Sequence, residues 1–543
     1  MTSYGICTVL ILLCWAFWRL LKQYFIRSSL DNIPGPKRAS ILTGNVAQLF
    51  SRDAWNFHDD ITEKYPSVVK FHAPFGGKGL YVVDPKALYH VTVKDIAAYE
   101  EPAWFVQVSA LTFGQGVFAT SGEQHRKQRR VLNPVFSIKH MRSLTPIFYA
   151  VAHRLRAGLS AELGDANFGE TEILGWLGRT ALELVGQGGL GHSFDKLDRP
   201  VPNPFHQVLQ EIMPTVFSLH LWRVLLPYVM PYIPPRVRRL VGPWLPHRAM
   251  QKWRSIVRIL DEQAREIYDA KKDALEKGDE HVEHEIHEGR DILSVLLKAN
   301  SNAAEGDRLS EEEVIGQISS LVFAATDTTS SATARILQLL AEHPDVQDKV
   351  RAELLEASPD GEDIPYDRLV DLPFLDAVCR ESLRLYSPVI FMSRDARQDA
   401  VLPLSEPIQG VNGALMTEII VPKGTSIVIG ILACNKSKAL WGDDALEWKP
   451  ERWLSPLPES LTNAHIPGIY SHLMTFLGGG RACIGFKFSQ LEMKVLLAAL
   501  LPAFRFTLGQ REIYWNVAGV SYPTVGRENS NPEMYLNLEV ITP

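Results

Sequence analysis

The chain contains few cysteines and none in a paired motif. Five occur among 543 residues, and two of them, Cys7 and Cys14, lie in an apolar N-terminal run. The other three, at positions 379, 434 and 483, form no CxxC and no zinc-like spacing. A disulfide framework and a cysteine zinc site are therefore excluded, and a reducing compartment is indicated.

The chain also lacks an excess of charge of either sign. Its 56 lysines and arginines and 62 aspartates and glutamates give a net charge of -6, which indicates no basic field for nucleic acid. Hydrophobic residues make up 46% and charged residues 22%, a balance without disorder bias. The length exceeds the roughly 250–300 residues at which one core stops growing, so a large α-rich fold and several domains both stay open.

A long, nearly uncharged run extends from Tyr4 to Leu21, interrupted by Arg19. About 18–20 such residues span a bilayer core of roughly 30 Å. A cleaved signal peptide would carry positive charge before the run, whereas here Lys22 and Arg27 follow it. We therefore predict a transmembrane anchor over residues 1–26, with the remainder of the chain in the cytosol.

The rest of the chain reads as a hinge followed by a mostly helical part. Asn32–Pro36 (NIPGP) breaks regular structure, which predicts a proline-rich hinge over residues 27–40. Val68–His72 and Leu80–Val83 flank a glycine-rich turn and predict a β-hairpin. Helical periodicity dominates afterwards, so residues 41–543 are predicted to be mostly α with a minor β region.

One glycine pattern is typical of dinucleotide binding but lies in the wrong context. Gly186-x-Gly188-x-x-Gly191 follows a helical segment rather than a strand. The dinucleotide fingerprint needs a strand before it and a helix after it, so this cluster is interpreted as a helix end. No flavin or nicotinamide domain is predicted.

The segment from Phe476 to Gly485, FLGGGRACIG, is the strongest indication of chemistry. Its glycines let the backbone fold tightly and approach a flat group closely. Free backbone N–H groups and the start of a helix near Phe486 would favour a thiolate at Cys483. A lone cysteine is usually a small buried hydrophobe, but this setting indicates a metal ligand.

This segment resembles the haem-binding loop of the cytochrome P450 superfamily, Phe-x-x-Gly-x-Arg-x-Cys-x-Gly, at every defined position. The resemblance implies haem b with Cys483 as the axial iron ligand, and it implies cofactor-binding roles for Phe476 and Arg481. It also implies the P450 fold for the part of the chain after the anchor. Two further segments resemble the family, Glu381-Ser-Leu-Arg384 and Pro450-Glu-Arg452-Trp453, whose charged residues form a buried structural triad in such enzymes.

A third match lies in a long helix predicted from Ser310, where SEEE forms a capping box, to about Glu342. Its middle, AATDTT from Ala324, resembles the oxygen-activation stretch of the family, with Ala325 where glycine is usual. The resemblance implies that Asp327 and Thr328 relay protons, while the alternative is that both are ordinary hydrogen-bonded core groups. Hydroxyl groups bonded back to the helix are also expected to open it locally.

The remaining cofactor contacts come from two other segments. Gly122–Arg130 resembles the stretch in which Trp-x-x-x-Arg contacts a haem propionate, with His125 in place of tryptophan and with Arg129 kept. Its other cations either attract an acidic reductase or are simply solvated. Pro388–Asp399 resembles the strand after the Glu-x-x-Arg helix, which implies that Arg394 contacts a propionate.

The resemblance implies a monooxygenase that takes electrons from NADPH through a separate cytochrome P450 reductase in the endoplasmic reticulum membrane. Trp104, Phe105 and the apolar stretch Phe217–Leu240 lie where the family has its substrate entrance, which favours an apolar substrate such as a terpenoid. Two alternatives remain: a haem-thiolate isomerase or dehydratase that acts on a peroxide, and a non-catalytic haem protein. The acid–threonine pair argues against both.

Overall fold

The computed structural model describes residues 18, 27–201, 203–219, 232–234, 237, 240, 242, 247–276, 291–302 and 305–541. The predicted anchor over residues 1–26 lies outside these ranges except for Trp18. Among the helices that are described, none combines the length and the apolar character needed to span a bilayer.

Helices dominate the described residues, as predicted. In chain order they are α1 (Val46–Leu49), α2 (Trp55–Lys64), α3 (Pro85–Tyr89), α4 (Ala103–Phe113), α5 (Gly122–Leu132), α6 (Ile138–Leu163), α7 (Ile173–Leu184), α8 (Pro204–Ser218), α9 (Arg248–Glu276), α10 (Ile292–Asn302), α11 (Glu311–Glu342), α12 (Pro344–Ala357), α13 (Tyr366–Val370), α14 (Pro373–Leu385), α15 (Ile431–Asn435), α16 (Lys438–Trp441), α17 (Glu459–Thr462) and α18 (Phe486–Leu500). Short 3-10 and π segments join several of them.

The β-structure is the minor component. The strands are β1 (Val68–His72), β2 (Lys78–Val82), β3 (Tyr99–Glu100), β4 (Phe168–Glu172), β5 (Met392–Ala396), β6 (Ala400–Gln409), β7 (Leu415–Val421), β8 (Ser426–Ile429), β9 (Phe504–Leu508), β10 (Ile513–Asn516), β11 (Tyr522–Val525) and β12 (Tyr535–Val540). They form sheets in the orders β1-β2-β8-β5-β3, β6-β7, β4-β12-β9 and β10-β11.

The chain divides into two compact units. The first unit consists of the described residues up to Pro102 together with Val389–Glu447 and Pro458–Ala482. The second unit consists of Ala103–Pro388, Trp448–Leu457 and the chain from Cys483 onwards. The boundary between Ala482 and Cys483 falls inside the cysteine loop.

The first unit is built on the five-stranded sheet. The predicted hairpin is confirmed, because β1 and β2 pair antiparallel from Val68 opposite Val82 to His72 opposite Lys78. At the turn between them, Phe75 has a φ of 55° and Gly76 a φ of 83°. Strand β8 pairs parallel to β2, and β5 and β3 follow antiparallel. This order places β3 at the edge of the sheet, beside β5.

The second unit is organised around α11. The predicted capping box is confirmed, since the hydroxyl of Ser310 accepts from the N–H of Glu313 and the Glu313 carboxylate accepts from the N–H of Ser310. The side chains of α11 are buried on most faces, as expected for a helix that runs through a core. The glycine cluster at the end of α7 is likewise a helix end, with Gly191 left-handed at a φ of 64°.

A buried charge network ties α14 to the turn Pro450–Leu454 within the second unit. Arg384 donates twice to Glu381, at 2.8 Å to each carboxylate oxygen, and neither side chain is accessible to solvent. Arg452 Nε lies 3.4 Å from the same carboxylate, and Trp453 Nε1 and the backbone N–H of Lys449 also donate to it. The predicted triad is confirmed, and each charge in it is paired.

We expect Glu381→Gln to lower the free energy of unfolding by about 3–5 kcal/mol, because it leaves two buried guanidinium groups without a counter-charge. Urea denaturation followed by circular dichroism measures this loss. The matched control is Glu451→Gln, one residue from Arg452, which removes an exposed ion pair with Lys349 (2.9 Å). That control should cost under about 1 kcal/mol, and equal losses in the two variants would contradict the prediction.

Candidate haem-binding site

The cysteine loop is shaped by close backbone contacts in the first unit. A Cβ atom at Gly479 would lie 1.9 Å from the carbonyl oxygen of Thr92, and Gly479 has a φ of 70°. A Cβ at Gly478 would lie 1.9 Å from the carbonyl oxygen of Pro467. Only glycine fits both positions, so the glycine-rich sequence is required by the packing of the loop.

Cys483 is the first residue of the last chain segment in the second unit, just before α18. It is accessible to solvent, yet protein surrounds it closely enough for desolvation to raise its pKa. The backbone N–H of Gly485 and the nearby guanidinium of Arg129 act in the opposite direction. Helix α18 begins at Phe486, as predicted, so its N-terminal end also lies beside the sulfur. The loop thus supplies donors for a thiolate.

Helix α5 carries the two residues predicted from Gly122–Arg130. His125 is buried and Arg129 is partly buried, and their i,i+4 spacing places them on the same face. Two other cations of α5 form ion pairs at the surface, since Arg126 pairs with Glu123 and Arg130 lies 2.9 Å from Asp307.

The middle of α11 carries a partly accessible stripe on a largely buried helix. Leu321, Ala324, Ala325 and Thr328, spaced i, i+3, i+4 and i+7, are all partly accessible and lie along one stripe. The Thr328 hydroxyl donates to the carbonyl of Ala324 at 2.9 Å. The helix nevertheless runs without interruption through Asp327, so the expected local opening is absent.

Asp327 is the unusual carboxyl group of this helix. It is partly accessible, yet protein surrounds it so closely that desolvation raises its pKa to about 7. Within the described part of the chain its carboxylate has no hydrogen-bond or ion-pair partner. The group can therefore gain or lose a proton near neutral pH, unlike a carboxylate held by an arginine.

Arg394, Arg481 and Phe476 lie in the first unit, and the two arginines have acidic partners that the sequence did not reveal. Arg394 Nη1 lies 2.9 Å from Glu101 Oε2, and Arg481 Nη2 lies 3.5 Å from Glu100 Oε2. Phe476 is buried and packs edge-on against Tyr470, with 5.6 Å between the ring centroids. The acids escaped prediction because their pairing depends on strand register.

These residues fit a haem group. An accessible sulfur with a backbone N–H donor beside it is the ligand that a haem-thiolate iron needs. The small side chains of Ala324, Ala325 and Thr328 form an accessible stripe on α11. Desolvation also lowers the pKa of Arg481, which indicates a cation set in protein rather than in open solvent.

The predicted substrate-entrance residues are only partly described. Trp104 and Phe105 lie on α4, partly buried, with their rings edge-on at 5.9 Å between centroids. Most of Phe217–Leu240 lies outside the described residues.

Comparison with known proteins gives a consistent result. Residues 34–517 match the family model of cytochrome P450. Cytochrome P450 monooxygenases 91 and 81 of Postia placenta are 51% and 49% identical, over 97% and 96% of this chain and 98% and 94% of those proteins. Ganoderic acid synthetase of Ganoderma lucidum is 44% identical over 97% of this chain and 96% of its own length. The chain therefore belongs to the cytochrome P450 family of haem monooxygenases.

Proposed function

We propose that this enzyme inserts one atom of dioxygen into an apolar small molecule, of the terpenoid class, using electrons from NADPH delivered by a separate reductase. The observation that carries the proposal is the accessible, desolvated thiol of Cys483 in the same unit as an accessible acid–threonine pair on α11. The similarity to ganoderic acid synthetase supports the terpenoid class.

The cofactor contacts follow from the residues. Cys483 would ligate the haem iron, and Arg129, Arg394 and Arg481 would hold the propionates, with His125 and Phe476 beside them. When bound, the haem supplies the reductive activation of dioxygen. Desolvation raises the pKa of the Cys483 thiol, and the N–H of Gly485 and the charge of Arg129 offset part of that rise. Bound iron would favour the thiolate further.

We assign the proton transfer in this reaction to Asp327 and Thr328. Insertion of one oxygen atom releases the other as water, and this consumes two electrons and two protons. A carboxyl with a pKa of about 7 exchanges protons with solvent at neutral pH, and the Thr328 hydroxyl, one residue away, can pass them on. An isomerase acting on a peroxide, or a haem protein without catalysis, has no use for this pair.

The same proposal covers the location of the enzyme. Residues 1–26 anchor the chain in the endoplasmic reticulum membrane by a single span, with the catalytic part in the cytosol beside a membrane-bound reductase. The apolar run Tyr4–Leu21, followed by positive charge, supports this topology.

We expect the wild-type protein, reduced with dithionite and exposed to carbon monoxide, to show the strongly red-shifted Soret band of thiolate ligation. Cys483→Ser should lose that band because serine cannot supply the sulfur ligand. Cys379→Ala, which changes a buried cysteine on α14, should retain it. A band typical of histidine-ligated haem in the folded wild type, or a red-shifted band in Cys483→Ser, would overturn the assignment.

The reaction class is tested with purified enzyme, reductase, NADPH and a panel of terpenoids under ¹⁸O₂. We expect one labelled oxygen atom in the product and substrate-dependent consumption of NADPH. Products without label, or turnover without reductase, would instead favour an isomerase or a dehydratase.

We expect Asp327 to carry its proton at pH 6 and to lose it by pH 8, because burial raises its pKa to about 7. Difference infrared spectroscopy between these two pH values should show the carbonyl band of a protonated carboxylic acid disappearing in the wild type. Asp327→Asn should lack that part of the difference spectrum. Identical difference spectra for the two proteins would show that Asp327 does not titrate between pH 6 and pH 8.

A further inference from the structure

Charged side chains of both signs gather around the edge strand β3 in the first unit. The members of this cluster are Glu100, Glu101, Arg394, Asp395, Arg397 and Arg481. Burying a charge is costly unless an opposite charge or several hydrogen bonds compensate it. The stability of this cluster therefore depends on which acid pairs with which arginine.

Strand register places Glu101 against Arg394. Strands β3 and β5 pair antiparallel, with Tyr99 opposite Ala396 and Glu100 opposite Asp395, so the next residue, Glu101, falls opposite Arg394. Arg394 Nη1 lies 2.9 Å from Glu101 Oε2, and the side chains are 2% and 6% accessible. This is a buried, directly opposed ion pair.

Glu101 also faces the cysteine loop. Its other oxygen, Oε1, lies 3.9 Å from Nε of Arg481, whose Nη2 is shared with Glu100 at 3.5 Å. The backbone carbonyl of Glu101 accepts from Arg397 Nη2 at 2.7 Å, which fixes the residue from the other side. One carboxylate is thus held between the two arginines of the first unit that we assign to the haem propionates.

We propose that Glu101 is a positioning residue for haem: its carboxylate orients Arg394 and Arg481 and sets the net charge beside the propionates. This inference rests on the proposed propionate-binding roles of those two arginines. Glu101 places a third carboxylate beside the two propionates of the haem.

The charge has a direct consequence for the cofactor. Reduction of the iron adds an electron, and a fixed negative charge nearby in a medium of low dielectric opposes that addition. Removal of the Glu101 charge leaves two guanidinium groups with a positive surplus. The midpoint potential of the haem should therefore move to more positive values when this carboxylate is neutralised.

The test compares full-length, haem-loaded wild type with Glu101→Gln by spectroelectrochemical titration. We expect a positive shift of the midpoint potential with an unchanged red-shifted band in the carbon monoxide complex. If Glu101→Gln does not fold, Glu101→Met takes its place, because methionine has a similar volume and no charge. The same positive shift is expected for Glu101→Met. An unmoved midpoint with a normal band would overturn the proposal.

Two matched variants separate charge from packing. Glu100→Gln removes an acid that contacts Arg481 alone and is more accessible, at 21%, so its shift should be smaller. Glu101→Asp keeps the charge, so its midpoint should stay near that of the wild type. A displacement in Glu101→Asp as large as in Glu101→Gln would assign the effect to packing and contradict the inference.

The failure of this inference is distinguishable from failure of the proposed function. If the wild type lacks the red-shifted band, the haem-thiolate assignment is wrong, whatever the midpoint potentials of the variants are. A normal band in every protein, with midpoints that do not respond to Glu101, removes the role of Glu101 and leaves the haem-thiolate assignment intact.

Discussion

The cysteine loop is shaped by the electrostatics of one sulfur that water cannot solvate freely. Desolvation raises the pKa of Cys483, so the fold has to supply compensation from its own groups. The N–H of Gly485 and the charge of Arg129 offset part of the desolvation, and the start of α18 lies beside the sulfur. The loop can present those groups only by folding tightly, which is why glycines stand where any Cβ would meet a carbonyl oxygen.

The same physical rule divides the buried carboxyl groups into two kinds. Glu381 and Glu101 each lie between two arginines, and each carboxylate holds those two cations in place. Asp327 has no such partner in the described residues, and its pKa rises to about 7. The arginines thus order Glu381 and Glu101, whereas Asp327 can exchange a proton near neutral pH.

Local sequence rules predicted much of this arrangement. The capping box at Ser310, the β1–β2 hairpin and the Glu381–Arg384 pair involve residues close together in the chain, and spacing alone determines such contacts. The partner of Arg394 lies 293 positions away and depends on the β3–β5 register, which no local pattern specifies. The division into two units also went unpredicted, because it depends on which distant segments pack together.

Helix α11 shows why the expected opening near Asp327 is absent. Four hydroxyls in this part of the helix are satisfied within it: Thr326, Thr328, Ser330 and Thr333 donate to carbonyl groups four residues earlier, at 2.7 to 2.9 Å. A carbonyl oxygen has two lone pairs, so it can accept from a hydroxyl and still accept from the helical N–H. The polar residues are thus buried without breaking the backbone ladder. The expected gap is therefore replaced by an unbroken helix that carries Ala324, Ala325 and Thr328 on its accessible stripe.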